Sequence, residues 1–179
     1  MNLMKTTANK ITLGRIFLVP VFLLLFCFKL YVPALIVFLV ACFSDMLDGY
    51  IARHYNQITV FGKFMDPLAD KMLVISAMCC FIGVGRIPGW AVAIVCFREF
   101  AVSGLRLVAA EKKCVIAAAK LGKLKTAATM VGLSAMLLFT RSPLLDGICT
   151  FVILITTIGS GVEYFLKNYS VFTDGIEGE

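Results

Sequence analysis

Long apolar runs separated by short polar segments dominate the pattern of this chain. The polar breaks carry charged residues, glycine or proline, which are typical of turns. A helix of about 20 apolar residues is long enough to cross roughly 30 Å of hydrocarbon. We therefore expect an all-α integral membrane protein with six transmembrane helices, at about 11–28, 31–52, 67–83, 88–109, 124–140 and 147–166.

The composition strengthens this expectation. Hydrophobic residues make up 60% of the chain, charged residues only 16%, and the mean hydropathy is +0.94, which together exclude an ordinary soluble domain. With 179 residues, six spans leave only short connections, so residues 1–179 are expected to form a single membrane domain. The seven cysteines lie almost all within apolar runs and show no repeated C-x-x-C pair, which favours buried thiols over a metal site.

The basic residues predict an orientation. An even number of helices puts both termini on one side of the membrane. If that side is the cytoplasm, only Lys29, Arg86 and Arg141 of the seventeen lysines and arginines face outward. Cytoplasmic loops are enriched in lysine and arginine, so we expect cytoplasmic termini. The net charge of +6 then reflects topology, and no nucleic-acid partner is expected.

Four aspartates lie where a membrane protein rarely keeps charge, at the inner ends of the second and third runs: Asp45, Asp48, Asp66 and Asp70. One aspartate in mid-membrane costs at least about 2.5 kcal/mol, so four need compensation. The spacings of three and four put each pair on one helix face. Counted from the turn, Asp48 and Asp70 both lie roughly 8 Å deep. Clustered carboxylates favour hard cations, so we predict two divalent ions, Mg²⁺ or Mn²⁺, with positions free for phosphate oxygens.

Small residues beside these carboxylates leave room for a ligand. Gly49 and Ala52 follow Asp45 and Asp48 by one helical turn, and Gly62 is placed to do the same across the turn. Arg53, at the mouth, suits bidentate binding of a diphosphate.

The string D-x2-D-G-x2-A-R-x8-G-x3-D-x3-D, from residue 45 to residue 70, resembles the signature of the CDP-alcohol phosphotransferase family at every fixed position. Further similar segments extend the resemblance over nearly the whole chain. They are Asn9-x2-Thr12-x2-Arg15 and residues 98–106, 120–126 and 161–165.

The resemblance implies a homodimeric enzyme of phospholipid biosynthesis in the bacterial cytoplasmic (inner) membrane, with its active site facing the cytoplasm at the ends of helices 2 and 3. It would transfer the phosphatidyl group of CDP-diacylglycerol to an alcohol and release CMP. Asp45, Asp48 and Asp66 would be the principal metal ligands, with Asp70 both a ligand and the catalytic base for the incoming hydroxyl. The residues implied to bind the cytidine nucleotide are Gly49, Ala52, Arg53, Gly62, Asn9 and Thr12; alternatively, Asn9 and Thr12 simply begin the first helix.

Basic residues in the later runs favour a phosphorylated acceptor, sn-glycerol 3-phosphate. Arg98 and Arg106 lie eight positions apart, about 80° around a helix, so both can face one cavity. Lys123 and Lys125 are expected to approach from a loop before the fifth run. The alternative is that such lysines only mark topology and touch anionic lipid.

Other interpretations remain open. The same family includes other acceptors, such as phosphatidylglycerol or inositol phosphate. An ion or metal transporter would also hold acids in a bundle, although such proteins commonly carry repeats and broken helices that this sequence does not show. An intramembrane prenyltransferase would use aspartates and metal too. Asp66, which precedes Pro67, could also be only a helix N-cap.

Overall fold

The computed structural model describes residues 7–54, 60–111, 120–140 and 142–168, and within them all side chains except those at 7–12, 45–54, 60–67, 70, 110, 111 and 120. These residues form six helices and no strand, as predicted. The helices are α1 (Thr7–Cys27), α2 (Tyr31–His54), α3 (Val60–Gly83), α4 (Gly89–Glu111), α5 (Lys120–Leu138) and α6 (Pro143–Lys167).

Four helices begin earlier than the apolar runs predicted. α1 begins at Thr7 instead of 11, α3 at Val60 instead of 67, α5 at Lys120 instead of 124 and α6 at Pro143 instead of 147. The additional turns of α1, α3 and α5 contain lysines, which interrupt an apolar run but favour helix. Asp66 therefore lies inside α3, and the interpretation of this residue as an N-cap is wrong. The start of α6 does show a cap, because the hydroxyl of Ser142 accepts a hydrogen bond from Leu145 N ahead of Pro143.

Aromatic side chains join the first three helices. Phe22 of α1 packs on Phe38 of α2, with ring centroids 5.9 Å apart. Phe26 of α1 meets Phe81 of α3 edge-on at 5.4 Å. All four rings are buried, and edge-to-face and tilted packing of this kind adds to the stabilisation from burial. The remaining contacts place α5 against α2 and α6, and α4 against α3 and α6.

The outside of the bundle is apolar. Large hydrophobic side chains are exposed on every helix, among them Phe17, Phe43, Met72, Phe97, Val131 and Phe151. Exposed apolar surface of this extent indicates contact with a membrane or a partner. Among the described residues, two helical segments, Leu121–Leu138 and Pro143–Lys167, are long and apolar enough to cross a membrane by length and composition.

One end of the bundle is closed by an arginine in the turn between α3 and α4. Arg86 donates two hydrogen bonds to the carboxylate of Asp146, at 2.8 and 2.5 Å. It also donates to the carbonyl oxygens of Met136 at 2.7 Å and Phe139 at 2.9 Å, at the end of α5. We call this group the Arg86 clamp. It fastens the α3–α4 turn to the α5–α6 turn.

Candidate active site

The four aspartates lie on the adjacent helices α2 and α3, close to their connection. Their side chains are outside the described part of the chain, so only their positions along the helices are considered. Asp48 precedes the end of α2 by six residues and Asp66 follows the start of α3 by six, which is roughly 9 Å along each helix. Asp45 and Asp70 lie roughly 14 Å along.

This placement bears on the expected pairing of the aspartates. Asp48 and Asp66 are each six residues from the neighbouring end of their helix, and Asp45 and Asp70 are nine and ten residues from it. Residues 55–59, which connect the two helices, lie outside the described part of the chain, so the expectation that Asp48 and Asp70 share a level stays a prediction. Four aspartates supply an oxygen-rich donor set of the type that binds Mg²⁺ or Mn²⁺, so the residue types present fit a pair of divalent ions.

The residues expected to bind the nucleotide are carried by the same part of the fold. Gly49, Ala52 and Arg53 belong to the last turns of α2, and Gly62 to the first turn of α3. Asn9 and Thr12 belong to the first two turns of α1, a position compatible with either interpretation of them. The side chains at all these positions lie outside the described residues, so their roles stay predictions.

A buried arginine lies beside this region. Arg15 of α1 is 1% exposed, and its Nε donates to the hydroxyl of Ser44 at 3.4 Å. Ser44 in turn donates to the carbonyl oxygen of Ala41 at 2.7 Å and directly precedes Asp45. A buried guanidinium requires polar partners. Arg15 thus brings positive charge to the turn of α2 that leads into the aspartates.

A second charged group lies where α3, α4 and α5 meet. Glu99 of α4 accepts hydrogen bonds on Oε1 from Lys125 Nζ at 2.6 Å and from Arg98 Nη1 at 3.0 Å. Lys71 Nζ lies 4.0 Å from Glu99 Oε2 and also donates to the hydroxyl of Ser103. We call Glu99, Arg98, Lys125, Lys71 and Ser103 the Glu99 cluster.

The Glu99 cluster is largely buried and rich in positive charge. The side chain of Lys125 is 7% exposed, that of Arg98 13% and that of Glu99 15%. Among the described residues, Arg98 and Lys125 share the Glu99 carboxylate, and one negative charge cannot neutralise the two of them. Arg98 Nε is buried without a hydrogen-bond partner among the described residues. Unused donors on buried cations suit an anionic ligand.

The four residues predicted to bind an acceptor phosphate separate into two groups. Arg98 and Lys125 are drawn together by Glu99. Arg106 is exposed, donates to the Tyr164 hydroxyl at 3.1 Å and lies over its ring. Lys123 is also exposed. Both lysines belong to α5, so the expected approach from a loop is wrong.

α4 does turn both of its arginines toward α6. Arg106 contacts Tyr164 of α6, and a Cβ added at Gly161 of α6 would lie 3.3 Å from Arg98 Cγ. This agrees with the 80° estimate for their separation.

Sequence reasoning missed Glu99 and Lys71. Both signals were present, since each is an ionisable residue inside or beside an apolar run, and such residues are commonly functional. Asp146 gave the same kind of signal and was also missed. Arg86 was expected only to mark the outward side.

Comparison with known proteins shows relatives along nearly the whole chain. The family model for CDP-alcohol phosphatidyltransferase matches residues 5–161. A CDP-diacylglycerol–glycerol-3-phosphate 3-phosphatidyltransferase of Bacillus subtilis (strain 168) is 40% identical, covering 90% of this chain and 94% of its own. The protein of that name from Rickettsia typhi is 34% identical, with 90% and 96% covered. A probable phosphatidylglycerophosphate synthase of Mycobacterium tuberculosis is 38% identical, with 89% and 80% covered.

The match includes all four aspartates, the nucleotide-binding candidates and the Glu99 cluster, since all lie between residues 5 and 161. The resemblance inferred from the aspartate signature is thereby confirmed, and the chain belongs to the membrane-associated CDP-alcohol phosphatidyltransferase family.

Proposed function

We propose that this protein transfers the phosphatidyl group of CDP-diacylglycerol to sn-glycerol 3-phosphate, giving phosphatidylglycerophosphate and CMP. The observation that carries the proposal is similarity along nearly the whole chain to bacterial proteins named for this reaction, at 40% identity in Bacillus subtilis. The signature aspartates and a buried cationic cluster supply the chemistry that such a reaction needs.

The metal site of the proposed enzyme consists of Asp45, Asp48, Asp66 and Asp70, holding two Mg²⁺ or Mn²⁺ ions. Bound there, the ions would neutralise the diphosphate of the donor and stabilise charge on its oxygens. Support comes from the position of all four aspartates on the adjacent helices α2 and α3, near their connection.

The nucleotide is proposed to lie against the same two helices. Gly49, Ala52 and Gly62 leave space for cytidine, and Arg53 binds the diphosphate. Asn9 and Thr12 approach from the start of α1. These roles follow from the family signature.

Asp70 is the proposed base. It accepts the proton of the primary hydroxyl of glycerol 3-phosphate as that oxygen attacks the phosphorus attached to diacylglycerol. A phosphorus–oxygen bond to the acceptor forms, the bond to the CMP oxygen breaks, and CMP leaves with the electron pair. Phosphoryl-type transfer depends mainly on positioning and charge neutralisation, which the fixed helices provide.

The acceptor phosphate is proposed to bind to Arg98 and Lys125, with Arg106 and Lys123 at the entrance. Lys125 is buried and Arg98 largely so, and Arg98 retains a donor without a partner among the described residues. A buried phosphate contact with arginine is strong because both groups lose competing water. This chemistry favours a phosphorylated acceptor over inositol or serine.

We further propose that residues 1–179 form one membrane domain with six spans and both termini in the cytoplasm, located in the bacterial inner membrane as a homodimer. The exposed apolar side chains on all six helices support lipid contact. The excess of lysine and arginine at the aspartate end supports a cytoplasmic active site.

The test is CMP release by purified protein in detergent with CDP-diacylglycerol. The acceptors compared are glycerol 3-phosphate, inositol, inositol phosphate, serine and phosphatidylglycerol, each with Mg²⁺, with Mn²⁺ and with a chelator. Release that needs both a divalent ion and glycerol 3-phosphate is expected. Release with a different acceptor would change the proposed substrate, and no release from folded protein would reject the enzyme in favour of a transporter.

A further inference from the structure

Glu99 ties together three helices at one carboxylate. It belongs to α4, Lys125 to α5 and Lys71 to α3. Lys71 is held twice more on α4, because its Nζ donates to the Ser103 hydroxyl and to the Glu99 carbonyl oxygen, the latter at 3.4 Å. Displacement of this one side chain would therefore change the spacing of α3, α4 and α5.

The carboxylate also determines where two cations lie. Arg98 and Lys125 both bond to the same atom, Glu99 Oε1. Two cationic nitrogens on one oxygen repel each other, and in a buried setting that repulsion is weakly screened. The negative charge of Glu99 keeps them together, and their remaining donors point away from it.

Glycines make room for the arginine of this cluster. A Cβ added at Gly161 of α6 would lie 3.3 Å from Arg98 Cγ, and one added at Gly122 of α5 would lie 3.9 Å from Arg98 Nη2. The side chain thus passes between α5 and α6 with little space to spare. Its guanidinium is held by Glu99 at one side and by close helix packing at the other.

The cluster is connected to the proposed base through the chain itself. Lys71 directly follows Asp70 in α3, so fixing Lys71 against Glu99 and Ser103 fixes the turn of α3 that carries Asp70. Contacts to Glu99 therefore hold Arg98, Lys125 and the turn of α3 that carries Asp70 in one arrangement.

We propose that Glu99 is a positioning residue for the acceptor. It holds Arg98 and Lys125 in the arrangement that receives the phosphate of the acceptor, and it ties them to the helix turn bearing Asp70. Glu99 itself touches neither substrate. This inference rests on the proposed function.

The experiment compares the wild type with two variants. Glu99→Gln keeps the shape of the side chain but removes its charge, and Glu99→Asp keeps the charge on a side chain one methylene shorter. In Glu99→Gln the KM for glycerol 3-phosphate should rise about tenfold or more, while the KM for CDP-diacylglycerol changes less than about twofold. Glu99→Asp should raise the acceptor KM by a smaller factor. Glycerol 3-phosphate should raise the melting temperature of the wild type and not that of Glu99→Gln.

Glu163→Gln is the matched control. Glu163 is an acid of α6 that also bonds to a lysine, Lys167 at 2.6 Å, and it accepts a hydrogen bond from Leu121 N at 3.3 Å. Its removal should leave both KM values near those of the wild type.

An unchanged acceptor KM in Glu99→Gln, equal rises in both KM values, or the same split in Glu163→Gln would overturn the role of Glu99. If Glu99→Gln is not recovered folded, the test uses Glu99→Asp, in which the KM for glycerol 3-phosphate should again rise more than the KM for CDP-diacylglycerol. Wild-type protein that releases no CMP with glycerol 3-phosphate would overturn the proposed function together with this inference, which distinguishes the two failures.

Discussion

Two regions of the bundle each contain a largely buried carboxylate bonded to an arginine, but they differ in charge balance. In the Arg86 clamp one arginine meets one aspartate, and its other bonds go to two backbone carbonyls. In the Glu99 cluster the Glu99 carboxylate pairs with both Arg98 and Lys125, and Arg98 Nε has no hydrogen-bond partner among the described residues.

The difference indicates what each group does. An ion pair with no net charge, whose hydrogen-bond donors are already used, offers few donors to a ligand. Such a pair serves to fasten helix ends. A buried group with surplus cations has free donors and positive charge, and both become useful when an anion enters. Charge balance therefore separates a structural ion pair from a binding site more clearly than burial, because both groups are buried.

The largest effect should come from the aspartate end. Asp70→Asn removes the proposed base, so kcat should fall about a thousandfold or more while the protein remains folded. Turnover is measured as CMP release, with folding checked by size exclusion in detergent. Full activity in this variant would remove Asp70 from the mechanism, although it would leave the comparison of the Arg86 clamp with the Glu99 cluster intact.

The next effect concerns the Arg86 clamp and should be one of stability. Asp146→Asn leaves Arg86 without its counter-charge, and loss of one partner of a buried pair costs about 3 kcal/mol. A lower melting temperature in detergent is expected, with both KM values unchanged for the protein that remains folded.

Replacing both partners sharpens this test. Because Arg86→Met with Asp146→Met leaves no unpaired charge, the double variant should be more stable than Asp146→Asn alone. A selective rise of the acceptor KM in either variant would show that the clamp is not purely structural.

The smallest effect should come from Arg106→Ala. Arg106 is exposed and held by Tyr164, so water screens its charge more than that of Arg98. The KM for glycerol 3-phosphate should rise only about threefold to tenfold, with the donor KM little changed. Equal or reversed effects on the two substrates would contradict a place for Arg106 at the acceptor entrance.

Much of the fold was readable from the sequence, because each helix is built around an apolar run. What the runs could not give was the helix ends. Lys63 and Lys120 precede the predicted apolar runs but belong to α3 and α5, because lysine is polar and still favours helix. Because α3 begins early, Asp66 lies inside the helix and not at its start.

The aspartate signature was recognisable because its residues are close in sequence and regularly spaced. The Glu99 cluster was not, because its contacts join residues 71, 99 and 125, and their meeting depends on how α3, α4 and α5 are rotated against each other. Arg86 and Asp146 are sixty positions apart and have the same difficulty. Sequence indicated that these charges needed partners, but only packing shows which partners they have.

The distribution of apolar length among the helices also bears on how the chain enters a bilayer. Among the described residues, α5 and α6 contain segments that meet the length and hydropathy needed to cross; these two helices are in contact and joined by a short turn, so they can partition as a hairpin. The aspartates lie instead on α2 and α3, where four ionisable side chains make insertion of either helix alone costly. The helices that carry the chemistry thus insert poorly alone, and their residence in lipid depends on neighbours already there.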